Sequence, residues 1–477
     1  MSGLSLTHWL YALSTLVIIV IMICRRGIVM PTLIGTFFVA SVYHSSVIDG
    51  LKATFNASLV AAQELFHIFL IITLMMALLK SLGDLGADQK MIAPIRKVMK
   101  NGHLSFLMLI IATYMISLFF WPTPAVPLIC TLLLPAAVKA GLPRMAVAMT
   151  VSIAGQGMAL SSDYIMQAAP ALTAKSAGLD VSLVADRAMI LSLITGAVAL
   201  LTAYLMFRKS IQPAGQQHTV DEPADIHGPG ARKGSGPSVI PSGKEKWSRI
   251  FAILVPLTLL AIMCYMFATK LLPNSGSSME GGEGAAFIGG VAVILLILTC
   301  IPVWGIDAFD KISQHLTDGF IFSFRSMGPV IPISGFFLLG SSDFSGKILS
   351  NTQKAPDFLF DLIQSVQDNI PQSGFLVAAV ILIVGLITGL DGSGFSGLPL
   401  VGGLSAALAT TQIDGTALAA VGQMGAIWSG GGTIVAWSSL VAIAAFCRVS
   451  PVDLVRKNFI PVMAGLIVST LIAVVIW

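Results

Sequence analysis

Asp391 stands in the run VGLITGLDGSGFSG, a carboxylate enclosed on both sides by apolar and small residues. An ionised carboxylate at the centre of a bilayer costs about 2.5 to 3.5 kcal/mol on insertion scales, so it needs a partner. Sodium or a proton supplies one, with Ser393, Ser396 and carbonyls freed near the glycines as further oxygen ligands for a hard cation. The alternative is a carboxylate that caps the N-terminus of the segment that follows. Asp163, in SSDY, occupies a comparable place earlier in the chain beside Ser161 and Ser162, and the same two roles apply to it. Glycine runs accompany both: Gly155 and Gly157 in SIAGQGMALSSD, and Gly430 to Gly432 in IWSGGGTIVAWS, flanked by Ser429 and Thr433. Such runs either let helices approach closely or interrupt them. An interrupted helix offers N–H ends to anions and carbonyl ends to cations. Ser429, Gly431 and Thr433 therefore join Gly155, Gly157, Ser161, Ser162 and Asp163 as candidate contacts for a substrate or ion.

Glu64, His67 and Arg325 form a second group. Glu64 and His67 lie three residues apart, on one helical face, and could relay charge or form a structural ion pair. Arg325 could meet an anionic substrate or sit at the membrane interface. The chain has no phosphate-binding GxxxxGKS/T loop, no His/Cys metal spacing and no nucleophile elbow. Neither an enzyme nor a bound cofactor is expected, only a coupling ion, Na+ or H+.

The elements that must position these residues are membrane spans. The 477 residues are 56% hydrophobic and 10% charged, with a mean hydropathy of +0.89, far from the roughly 25% charged of a soluble domain. A lipid bilayer is the expected environment. The net charge of +4 is too small and dispersed for a nucleic-acid surface. Five widely spaced cysteines suggest neither a disulfide framework nor a metal cluster. The apolar stretch 9–23 has no basic residue before it and Arg25 and Arg26 after it, and reads as a span rather than a leader. Windows of about 20 apolar residues predict membrane segments over 8–25, 28–46, 57–82, 104–140, 143–172 and 187–208, then 249–270, 284–304, 317–340, 374–411, 416–445 and 457–477. Between the sets, 209–247 is rich in Pro, Gly, Ser and charges, as a flexible cytoplasmic linker would be. It separates a first membrane repeat, 1–208, from a second, 248–477.

The halves are alike. IDGLKATFNASL from Ile48 matches IDAFDKISQHLT from Ile306, an offset that sets His67 opposite Arg325. Further on, Pro127 pairs with Pro399, and Gly155 to Gly157 with Gly430 to Gly432. Each half also holds an overlong apolar region broken centrally, by Trp121 to Pro127 and by Leu390 to Pro399, which reads as a re-entrant hairpin. Five crossings plus a hairpin per half make the second half inverted, an architecture typical of secondary transporters. Lys and Arg then gather on one side, placing both termini outside, with a bacterial cytoplasmic (inner) membrane as the expected location. Residues 88–100 and 355–368 read as interfacial helices before the two hairpins. The fold expected is an all-α integral membrane protein of two inverted-topology repeats with broken helices.

This order of a hairpin tip, an apolar arm ending LLLPAAVKAGLP and a span broken at SIAGQGMALSSD, repeated in each half, resembles the ion transporter superfamily. That group includes divalent anion/sodium symporters, citrate and arsenite carriers and several sodium/proton antiporter families. Its sodium/dicarboxylate branch carries Ser-Asn-Thr at both tips, where this chain has Pro122-Thr123-Pro124 and Gly394-Phe395-Ser396. Only Thr123, with Ser393 and Ser396, carries over as a substrate or ion contact. The resemblance implies a scaffold bundle, often a homodimer, and a moving transport bundle. The function expected is Na+- or H+-coupled uptake of a small organic anion by an elevator-like mechanism. The alternative is an Na+/H+ antiporter using Asp391, the expected Na+ ligand, and Asp163.

Overall fold

The computed structural model describes residues 4–24, 26–213, 245–271, 283–350, 355–366, 373–391, 394–409, 413–435 and 438–477. Within these the chain is helical, and seven stretches are long and apolar enough to cross a bilayer, among them Val47–Asp84, Gly102–Phe120, Val181–Ser210 and Pro451–Ile476. It is an all-α integral membrane protein. Most of the linker expected over 209–247 lies outside the described residues.

The first half runs α1 (Leu6–Ile23), α2 (Val29–His44), α3 (Val47–Asp84), α4 (Ala87–Val98), α5 (Gly102–Phe120), α6 (Pro122–Lys139), α7 (Arg144–Val151), a π-helical segment (Ser152–Ala159), α8 (Leu160–Ser162), α9 (Ala168–Lys175) and α10 (Val181–Phe207). The second half runs α11 (Glu245–Leu271), α12 (Glu283–Trp304), α13 (Ala308–Met327), α14 (Val330–Leu338), α15 (Ser342–Ile348), α16 (Phe358–Val366), α17 (Gly374–Thr388), α18 (Leu398–Ala407), α19 (Gly415–Gly430), α20 (Ser438–Cys447) and α21 (Pro451–Ile476). The order is that of the sequence repeat. The continuous α3 corresponds to α13 and α14, which separate at Pro329, a residue without an N–H to continue the ladder.

Packing follows the same exchange. α4 packs on α6 and α11, and its counterpart α16 packs on α18 and α1; α6 packs on α20, and α18 on α9; α12 packs on α3, and α14 on α2. Swapping each element for its repeat partner reproduces these contacts, as a two-fold relation requires. α3 with α13, and α10 with α21, pair their own equivalents. Leu133, Val147, Ile381, Val421 and Trp428, all fully buried or nearly so, join the two hairpins and interrupted helices in one apolar core. Other clusters draw on α1 to α3 and α11 to α14.

Three expectations are corrected. α3 and α13 begin about ten residues before the predicted apolar windows, because the polar openings are already helical; Ser46 caps α3 by accepting from the Asp49 N–H. The first hairpin turns at Trp121 alone (φ 64°) rather than across Trp121 to Pro127. Pro122 opens α6, where a missing N–H leaves nothing unsatisfied. The run Gly155 to Gly157 does not break its helix. The chain stays helical in π form to Ala159, and the interruption falls at 163–167.

Candidate functional site

The two hairpin tips and the two interrupted helices converge. Trp121, at the turn between α5 and α6, stacks on Phe395, between α17 and α18, with ring centroids 5.3 Å apart and planes 24° from parallel. Both rings are buried. Thr123, in the first turn of α6, reaches Ser439 on α20, hydroxyl to hydroxyl at 3.0 Å. The first tip is thereby tied to the helix that follows the second half's interruption.

The second tip lies directly on that interruption. A Cβ at Gly389 would collide with Ser429 Oγ, and one at Gly430 would fall 2.5 Å from Gly394 N. Gly394 has φ +71°, a conformation glycine adopts without steric penalty. Gly431 meets the first half: its Cβ would stand 2.9 Å from the Gln156 carbonyl. The second interruption thus rests on the π segment that leads into the first. Ser396 is buried at the second tip, and Asp391 closes the 3₁₀ turn Gly389–Asp391. Ser393 and the side chain of Asp391 lie outside the described residues.

Several candidate side chains are taken up in holding the helices. Asp163, in a left-handed conformation (φ 34°), accepts from the Ala169 N–H at 2.7 Å and so caps α9. Ser162 donates to the Ala159 carbonyl. Ser161 accepts from Trp428 Nε1 at 2.9 Å and donates to Ser192, which donates to the Met158 carbonyl. Ser429 donates back to the Gly425 and Ala426 carbonyls, and Thr433 to that of Trp428. Gly157 admits the Trp428 ring, 2.5 Å from where a Cβ would stand; Gly155 faces Thr113 and Ser117 on α5.

Around the π segment, in contrast, polar atoms are buried without partners. Gln156 is fully buried, and neither its amide nitrogen nor its oxygen is hydrogen-bonded among the described residues. The hydroxyls of Thr113 and Ser117 and the Oδ1 of Asn458 share that state. Ser152 Oγ donates to the Gly432 carbonyl at 2.8 Å; Asn458 Nδ2 donates to Ser152 Oγ at 3.1 Å and to the Thr433 carbonyl at 2.9 Å. Gln156 follows Ser152 by four residues and adjoins Gly432, whose Cβ would stand 3.6 Å from its own. Each unpaired buried group costs about 1 to 3 kcal/mol, and π-helical turns recur at functional sites. Amides and hydroxyls can donate to a carboxylate or offer oxygens to a cation.

None of Ser152, Gln156, Asn458, Gln423 or Trp428 was among the candidates taken from the sequence. One signal was legible: a glutamine next to glycine in each interrupted helix, AGQG and VGQMG. The second of these, Gln423, is bonded, donating to the Ser161 carbonyl at 2.9 Å and accepting from Thr173.

The charged trio does not assemble. Glu64 pairs instead with Lys175, Oε2 to Nζ at 3.1 Å, joining α3 to α9. Arg325 is exposed on α13, and no ion pair or hydrogen bond joins it to Glu64 or His67 among the described residues. His67 and Lys175 do share a cavity of about 410 Å³ between α3, α9 and α12. Met166 and Gln167, in the first interruption, form part of its wall.

No family model matches this chain. It is 35% identical over 474 residues to the uncharacterized membrane protein YhfA of Bacillus subtilis strain 168, with 99% of this chain and 98% of the relative covered. The helical membrane architecture agrees with that likeness over almost the full length, and the chain belongs to the family of the Bacillus subtilis membrane protein YhfA.

Proposed function

We propose that this protein is a secondary active transporter that couples uptake of a small organic anion, a carboxylate, to Na+ or H+ by elevator-like alternating access. The observation that carries this reading is the Gln156 amide, without a partner among the described residues and buried where the two interrupted helices and two hairpin tips meet. Irregular backbone at membrane depth is tolerated only where protein covers it or it lines a cavity. Repeated, broken helices are the device by which transporters form midplane sites. The cavity beside the first interruption adds a solute-sized space of about 410 Å³, lined by His67 and by Lys175, which Glu64 pairs. In this reading Gln156, Asn458, Thr113 and Ser117 serve solute or ion, and Thr123 holds the tip. Asp391 stays the candidate coupling carboxylate. The protein is further proposed to sit in the inner membrane as a homodimer with both termini outside, and to need no cofactor.

Asp163 bears on the competing antiporter reading. Its capping bond to α9 gives it a structural task and leaves exchange to Asp391. Proteoliposomes separate the two. A saturable, sodium-gradient-dependent charge movement on adding acetate, succinate or citrate is the result expected of the symporter. An internal pH change driven by sodium with no solute, and lost in Asp391→Asn, would replace it with the antiporter.

A further inference from the structure

α4 and the end of α6 enclose a cleft of about 760 Å³ whose wall carries Arg96, Lys97, Lys100 and Lys139 above apolar groups that include Met99 and Pro135. All four cations are exposed, and among the described residues none is ion-paired and no carboxylate lines the cleft. The nearby cation Lys90, outside the cleft, approaches Glu245 at the start of α11 at 4.0 Å, a carboxylate that Arg249 also holds. The cleft lies at the base of the first hairpin. α5 begins at Gly102, α6 ends at Lys139, and the two arms pack on one another. Two apolar arms therefore meet polar sequence at this one place, as at a bilayer surface.

The fold does not itself demand the charge. The repeat-related helix α16 occupies the equivalent place against α18, and its ionisable residue is Asp361, bonded to His8 at 3.1 Å. Four unpaired cations gathered over an apolar floor match one kind of occupant. We infer that this cleft binds the headgroup of an anionic phospholipid, with phosphate oxygens on Arg96, Lys97, Lys100 and Lys139 and an acyl chain along Met99 and Pro135. A guanidinium can grip phosphate with two parallel N–H bonds, and Lys stems can lie along apolar surface while their ammonium groups reach the headgroup layer. Basic pockets beside membrane helices recognise lipids in this way. The inference rests on the membrane class of the protein and not on the transport reading.

The test uses purified full-length protein exposed to equimolar phosphatidylglycerol and phosphatidylcholine, with retained lipid counted by native mass spectrometry. Preferential retention of phosphatidylglycerol is expected, weakened about fivefold for each cation removed and reduced by added salt. The variants are Arg96→Gln, Lys97→Gln, Lys100→Gln and Lys139→Gln, singly and together. Should the fourfold variant fail to fold, the single changes at these exposed positions decide. Equal retention of the two lipids by the unaltered protein, or undiminished preference in all variants, overturns the proposal. So does displacement of phosphatidylglycerol by inorganic phosphate at equal concentration, which would make the cleft a site for a soluble anion.

Discussion

The interruption after α8 and the one after α19 are related by the repeat, yet they treat their polar groups in opposite ways. At the first, Asp163 caps α9 and Ser161 links Trp428 to Ser192. At the second, Ser152 and Asn458 bond the carbonyls of Gly432 and Thr433, while Gln156 and the Asn458 oxygen beside them have no partner among the described residues. Braced groups thus lie at the first interruption, and open valences gather where the first half's π segment meets the second half's interruption at Gly432. Satisfied polar groups rigidify a core, and unsatisfied ones destabilise it until a ligand arrives.

The largest expected effect sharpens this contrast. Gln156→Leu removes the unpaired amide at nearly constant volume, so the thermal midpoint should hold or rise while solute-dependent charge movement in proteoliposomes falls to background. Loss of both together would make Gln156 a structural residue. Next come the close approaches. Gly157→Val drives atoms into the Trp428 ring and Gly389→Ala into Ser429, and each should lower stability by about 1 to 3 kcal/mol, read as the thermal midpoint in detergent.

Asp163 probes the braced interruption. Asp163→Ala removes the cap and should cost about 0.5 to 2 kcal/mol; Asp163→Asn, which keeps an acceptor, should be milder and leave ion dependence unchanged. Altered sodium or pH dependence in Asp163→Asn would instead assign this carboxylate to coupling. The smallest effect belongs to the stacked tips. A double-mutant cycle with Trp121→Leu and Phe395→Leu should return a coupling of about 0.5 to 1.5 kcal/mol, and zero coupling would mean that the tips do not stack in the membrane.

Much of the architecture was legible because apolar length and repeated punctuation are written locally. WPTPAVP and LDGSGFSG mark the two tips, and the match of SIAGQGMALSSD with IWSGGGTIVAWS marks the two interrupted helices. The site was less legible, because whether a polar atom is free depends on distant neighbours. Asp163 reads equally as an ion ligand or a cap until the Ala169 N–H is placed against it. Ser161 looks available until Trp428, 267 residues away, donates to it. Gly155 and Gly157 resemble a helix break, yet their role is to admit α5 and an indole ring. Gln156 has no charge to draw attention, and Asn458 follows Arg456 and Lys457, where it reads as part of a polar flank. Glu64 and His67 share a helical face, but the partner of Glu64 is Lys175 on another element.

The Gln156 amide and the Asn458 oxygen beside Gly432 are the groups proposed to receive a ligand. The direct measurement is the thermal midpoint of purified protein and its Gln156→Leu variant in choline, then with sodium, then with sodium plus succinate or citrate. Ligand that binds only the folded state raises the midpoint. A rise with sodium, carboxylate or both is expected in the unaltered protein and none in Gln156→Leu; equal rises in the two proteins, or none in either, would show that Gln156 holds no ligand.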